Sequence, residues 1–97
     1  IDGSIKEVAG LTNIDSKFES FGFNVINVNG HDIEELIISF EKAKEVKGMP
    51  TAIIAKTIKG KGVSFMENQV GWHGKAPNKE EYEKAIQELN TNYIKLL

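Results

Sequence analysis

The 97-residue chain carries 12 lysines and no arginine against 14 acidic residues, a formal net charge of −2, and 40% of its residues are hydrophobic. That is material for one small, mildly acidic domain with a modest core and a thin stability margin. Scattered lysines exclude a nucleic-acid-binding stripe, the lack of cysteine excludes disulfides and thiolate metal sites, and no run approaches the roughly 18 apolar residues of a membrane helix. A cysteine-free composition fits a reducing cytoplasm.

Residues 1–13 are mixed and turn-prone, punctuated by Gly3 and Gly10, and predict no regular element. Ile14, Phe18 and Phe21 fall at spacings of four and three, which predicts a short helix over about 14–21, closed by Gly22 in the left-handed conformation. The β-branched and aromatic types over about 23–28 predict a strand. Asn29-Gly30-His31-Asp32 then turns into a second helix over about 33–47. Asp32 and Glu35 have capping-box spacing there, and Glu34 and Glu35 suit the positive end of the helix dipole. Ile33, Leu36, Ile37, Phe40, Ala43 and Val46 form its apolar stripe, and Gly48 and Pro50 stop it. The near-continuous apolar run over about 51–57 predicts a second strand. A last helix over about 79–90 starts at Asn78, which repeats the capping-box spacing with Glu81, and Tyr82, Ala85, Ile86 and Leu89 form its stripe.

Strand, helix, strand predicts an α/β class built on a βαβ unit, with parallel strands and a right-handed crossover. Two parallel strands need further strands beside them and cover on both faces. The expectation is therefore a portion of a larger parallel sheet, and an opening at Ile1-Asp2-Gly3 without an initiator methionine fits it.

From Ile58 to Pro77 about twenty residues lack periodicity, and connections of that length in compact domains are usually functional or disordered. The segment leaves the C-terminal end of a parallel strand, the edge where open α/β sheets bind ligands. Lys59-Gly60-Lys61-Gly62 has the residue types of a phosphate grip, with glycines that let backbone N–H groups approach an anion and lysines that add charge. It matches neither the P-loop pattern nor a dinucleotide fingerprint, and a solvated lysine turn would read the same. His73, between Trp72 and Gly74, is either a hydrogen-bonding or proton-transferring group or a surface histidine beside a tryptophan that plugs the core. His31, just before Asp32, reads as structural at its turn, and no carboxylate or histidine spacing makes a metal site.

Taken together, Lys56-Thr57-Ile58-Lys59-Gly60-Lys61-Gly62-Val63-Ser64-Phe65-Met66-Glu67-Asn68 and Gly71-Trp72-His73-Gly74-Lys75-Ala76-Pro77-Asn78 closely resemble the transketolase family. The match is to the N-terminal section, of the type encoded as two subunits. Ile1-Asp2-Gly3 and the stretch from Phe21 through Asp32 fit the same family, so the resemblance covers nearly the whole chain. It implies that residues 1–97 are the C-terminal portion of a domain that grips thiamine diphosphate, with a parallel-sheet fold. The implied reaction moves a two-carbon ketol unit from a ketose phosphate to an aldose phosphate, a step of the pentose phosphate pathway in the cytoplasm.

By the same resemblance, Lys59 matches a lysine near the cofactor, and His73 matches a loop histidine that contacts the cofactor's phosphates and the substrate's reacting oxygens. Implied partners are sugar phosphates, the remainder of the N-terminal domain and a transketolase C-terminal section or subunit, in a dimer. The implied divalent cation is magnesium or calcium. Its ligands in the family, a Gly-Asp-Gly motif and an asparagine, match nothing in this chain and would lie before Ile1. On that ground residues 1–97 alone are expected to be inactive. The alternatives are a 1-deoxyxylulose-5-phosphate synthase section, with a similar Lys-Gly-Lys-Gly loop, and a non-catalytic truncated paralogue serving as an interaction module.

Overall fold

The computed structural model describes residues 13–96, so the turn-prone stretch 1–12 and the resemblance at Ile1-Asp2-Gly3 lie outside the described residues. Helix α1 (Ile14–Ser20), strand β1 (Asn24–Asn29), helix α2 (Ile33–Glu45), strand β2 (Thr51–Lys56), a 3-10 helix (Val70–Trp72) and helix α3 (Lys79–Leu96) follow in chain order. They fall into two compact units, one reaching Thr57 and one running on from Ile58.

The first unit is the predicted βαβ arrangement. β1 and β2 pair in parallel, from Asn24 opposite Thr51 to Asn29 opposite Lys56, with α2 as the crossover. Both α1 and α2 pack on β1. β1 begins one residue later than the β-branched run suggested, because Phe23 belongs to the end of α1. The N–H of Gly22, at φ +89°, donates to the Glu19 carbonyl at 2.9 Å, and that of Phe23 to the Phe18 carbonyl at 3.1 Å. This pair of bonds is a Schellman motif, and its accompanying apolar contact is present: the Phe18 and Phe23 rings meet edge to face at 5.2 Å. Phe21, expected on the apolar face with Phe18, is the C-cap residue and is exposed.

α2 starts where its cap predicts. Asp32 Oδ1 accepts the Glu35 N–H at 3.1 Å, while the Glu35 carboxylate reaches back to the Asn29 N–H at 3.2 Å. The helix stops at Glu45, two residues short of the predicted end, as Val46 takes extended backbone ahead of Gly48 at φ +83°. The apolar stripe divides. Leu36, Ala43 and Val46 are half-buried around a buried Ser39, whose hydroxyl is satisfied by the Glu35 carbonyl at 2.8 Å. Ile33, Ile37, Ile38 and Phe40 remain exposed. A two-stranded sheet is too narrow to cover a stripe that wide.

In the second unit α3 opens on a complete capping box: Asn78 Oδ1 accepts the Glu81 N–H at 2.8 Å and Glu81 Oε1 accepts the Asn78 N–H at 2.9 Å. α3 continues to Leu96, six residues beyond the predicted end at 90. No glycine or proline follows Asn90, and Tyr93 and Leu96 extend the spacing set by Leu89. Val63 and Ala85 are the buried apolar residues of this unit among those described. No described helix is long and apolar enough to cross a membrane.

Candidate functional site

Both predicted site residues, Lys59 and His73, lie in the second unit. The segment ahead of α3 is built, despite its lack of periodicity, from successive turns over 59–68 and the 3-10 helix. Glycines make that path possible. Gly60 and Gly62 take φ +72° and +97°, and a Cβ at Gly60 would stand 2.6 Å from the Met66 carbonyl oxygen.

Local hydrogen bonding decides what this loop can offer an anion. The N–H of Lys61 donates to the Ile58 carbonyl at 3.2 Å and that of Val63 to the Gly60 carbonyl at 3.1 Å. Gly62 N–H donates to Glu67 Oε1 at 3.3 Å, and Ser64 N–H to Glu88 Oε1 at 2.9 Å. These four donors, the N–H groups of residues 61–64, are engaged within the unit. Gly60 and Gly62 shape the turn, and the lysines beside them add positive charge to it. Lys59 and Lys61 are exposed, and neither ammonium pairs with a carboxylate among the described residues.

Lys59 and His73, fourteen positions apart, belong to one folded-back segment. The Lys59 carbonyl accepts the Asn68 N–H at 2.9 Å. Asn68 takes φ +59°, a conformation asparagine tolerates better than most residues. Gln69 follows as N-cap of the 3-10 helix, and His73 is its C-cap, donating its N–H to the Val70 carbonyl at 3.1 Å. The His73 imidazole is exposed.

Trp72 anchors this end of the loop. Its indole Nε1–H donates to the Phe65 carbonyl at 3.2 Å and its ring packs 5.6 Å from that of Phe65. Lys75 Nζ stands 4.4 Å over the indole and pairs with Glu81 Oε2 at 3.6 Å, tying the residues after His73 to the cap of α3. His73 is thus an exposed imidazole beside a tryptophan held at its indole N–H and at its ring face.

The other singled-out residues lie in the first unit. Asn29 Oδ1 accepts the His31 backbone N–H at 3.0 Å in the turn ahead of α2. Lys56 is exposed at the end of β2. A Cβ at Gly30 would meet the Thr57 methyl at 2.5 Å, so the turn beside that strand end is tightly packed. Among the described residues no three His, Asp or Glu side chains gather to hold a metal ion.

Sequence reasoning missed Glu67, Glu88 and Asn92, the polar side chains that bond to the loop backbone. Asn92 Nδ2 donates to the Gly62 carbonyl at 3.3 Å. The Glu88 carboxyl is held below the usual glutamate value by the Ser64 hydroxyl and N–H, against a smaller opposing effect of burial, with the nearby Lys84 charge adding to the depression. No local pattern marks Glu88 and Asn92, because their partners lie 24 and 30 residues away in the chain.

A family model described as "Transketolase, thiamine diphosphate binding domain" matches residues 1–95. The chain is 35% identical over 96 residues to one of the subunits of the apulose-4-phosphate transketolase of Phocaeicola vulgatus, covering 99% of this chain and 34% of that protein. It is 36% identical over 89 residues to a 6-deoxy-6-sulfo-D-fructose transketolase subunit of a Clostridium species, covering 92% of this chain and 32% of that protein. To transketolase of Homo sapiens it is 48% identical over 71 residues, 73% of this chain and 11% of that protein. The chain spans about a third of the length of the two subunits it matches.

Proposed function

The chain belongs to the family of transketolase thiamine diphosphate-binding domains, and on that footing we propose that residues 1–97 are the C-terminal portion of the diphosphate-binding domain of a split-subunit transketolase. The reaction proposed is transfer of a two-carbon ketol unit from a ketose phosphate to an aldose phosphate. The complete enzyme is a cytoplasmic dimer including the rest of this domain and a C-terminal subunit or section. Its divalent cation, magnesium or calcium, is held by residues before Ile1.

One observation carries the site: Lys59, Lys61 and His73 are exposed on one hydrogen-bonded loop, with both ammonium groups unpaired among the described residues. That donor set suits a diphosphate. Two compact cations supply charge and an imidazole supplies a hydrogen bond, while Glu67 and Glu88 are engaged by backbone N–H groups. Thiamine diphosphate supplies the carbon chemistry when bound. Lys59 binds the phosphates or balances their charge, and Lys61 adds to the positive field. His73 hydrogen-bonds the phosphates and the donor sugar's hydroxyl oxygens, and holds or moves a proton there.

The test uses the complete enzyme with its C-terminal counterpart, assayed with xylulose 5-phosphate plus ribose 5-phosphate against pyruvate plus glyceraldehyde 3-phosphate. Turnover with the first pair alone is expected. Turnover with the second would assign the chain to the synthase. In the same assay His73→Ala is expected to lower kcat about a hundredfold. An unchanged kcat would remove the role.

A further inference from the structure

We propose that Glu88 and Asn92 of α3 are positioning residues for the cofactor: they hold the Lys59–Ser64 loop in the shape that presents its lysines to the diphosphate. The proposal rests on the assignment of that loop as a diphosphate contact.

Glu88 and Asn92 stand four residues apart, on one face of α3. Glu88 takes the Ser64 N–H at 2.9 Å, and Asn92 gives its amide to the Gly62 carbonyl at 3.3 Å. Between them, Leu89 Cδ2 lies 3.1 Å from where a Cβ at Gly62 would stand, so the helix meets the loop at van der Waals distance. Val63, flanked by the two bonded residues, is buried. A loop with two positive-φ glycines and no ladder of its own is conformationally permissive, and ordering it costs entropy. Bonds that order it in the free protein remove that cost from the binding step. The ionised state of Glu88, favoured by Ser64 and Lys84, makes its bond a charge-assisted one.

The complete enzyme is tested by titration with thiamine diphosphate at fixed magnesium, and by hydrogen exchange of the cofactor-free form. Glu88→Ala and Asn92→Ala are each expected to raise the cofactor Kd, about tenfold for Glu88→Ala, and to speed amide exchange over residues 61–64. At saturating cofactor, kcat should return to near the parent value. Glu88→Gln, which keeps an oxygen acceptor for Ser64, should restore most of the affinity. If Glu88→Ala does not fold, Asn92→Ala carries the test, since it removes a single exposed bond. Lys59→Ala, run in parallel, separates the two ideas. If Lys59→Ala raises Kd while the α3 variants loosen the loop and leave Kd unchanged, the positioning role is overturned and the loop assignment stands. If Lys59→Ala leaves Kd unchanged, the loop assignment fails and the proposal with it. Unchanged exchange in both α3 variants also overturns it.

Discussion

Glycines that look alike in the sequence carry unequal structural demands. Gly60 combines a left-handed backbone with a carbonyl oxygen 2.6 Å from its missing Cβ, whereas Gly74 has open space around it and no positive φ. Gly60→Ala is therefore expected to destabilise by about 1–3 kcal/mol, and Gly74→Ala to stay within about 0.5 kcal/mol, as judged by denaturant unfolding. The Glu88 carboxyl makes a separate prediction about acid. Its value is depressed in the folded chain relative to the ordinary 4.5 of the unfolded one. Above 4.5 both states are ionised and the stabilisation is complete. Below it the unfolded state binds more protons, so stability falls until the folded-state value is passed. In thermal melts taken downward from about pH 6, wild type should exceed Glu88→Ala at the start, and the two should converge as acid protonates the folded carboxyl. A gap that stays constant to the lowest pH would show that Glu88 acts by packing alone.

At the scale of elements, helix ends were the most legible feature, because a cap is a contact between residues three or four apart. Gly22 was readable as a C-cap, and Asp32 and Asn78 as N-caps. The two boxes close differently. At Asn78 both bonds form reciprocally, whereas Glu35 returns to Asn29 and not to its own cap residue. Asn78→Ala is expected to cost about 1 kcal/mol and Asn78→Asp only a few tenths, measured by chemical unfolding. Equal losses for the two would mean that the side-chain oxygen is not what holds the cap. α3 outran its predicted end for an equally local reason. Tyr93 and Leu96 continue the spacing of its stripe, and no residue after Asn90 breaks a helix. The extension has a consequence, since it places Asn92 on the helix and within reach of Gly62.

For the molecule as a whole, apolar surface is conspicuous. Ile33 is 67% exposed and Tyr93 62%, while only Val28, Val63 and Ala85 form the buried apolar core of the described residues. A chain spanning about a third of the subunits it matches, with so small a core, is expected to bind thiamine diphosphate weakly when residues 1–97 are tested alone. Isothermal calorimetry with cofactor and magnesium checks this. Micromolar binding would show that the grip on the diphosphate is complete within this chain.

The order of elements, the parallel βαβ arrangement and the identity of Lys59 and His73 as candidates could be read without coordinates. Periodicity, caps and turn residues are short-range, and a run of distinctive residues needs no fold to be distinctive. Tertiary structure alone decided which half of the α2 stripe is covered and that Glu88 and Asn92 bond to the backbone of the lysine loop. Each of those outcomes depends on what lies across the unit. Ser64 and Glu88 are separated by 24 residues and Gly62 and Asn92 by 30, and no local pattern records which distant side chain will arrive to satisfy a backbone group.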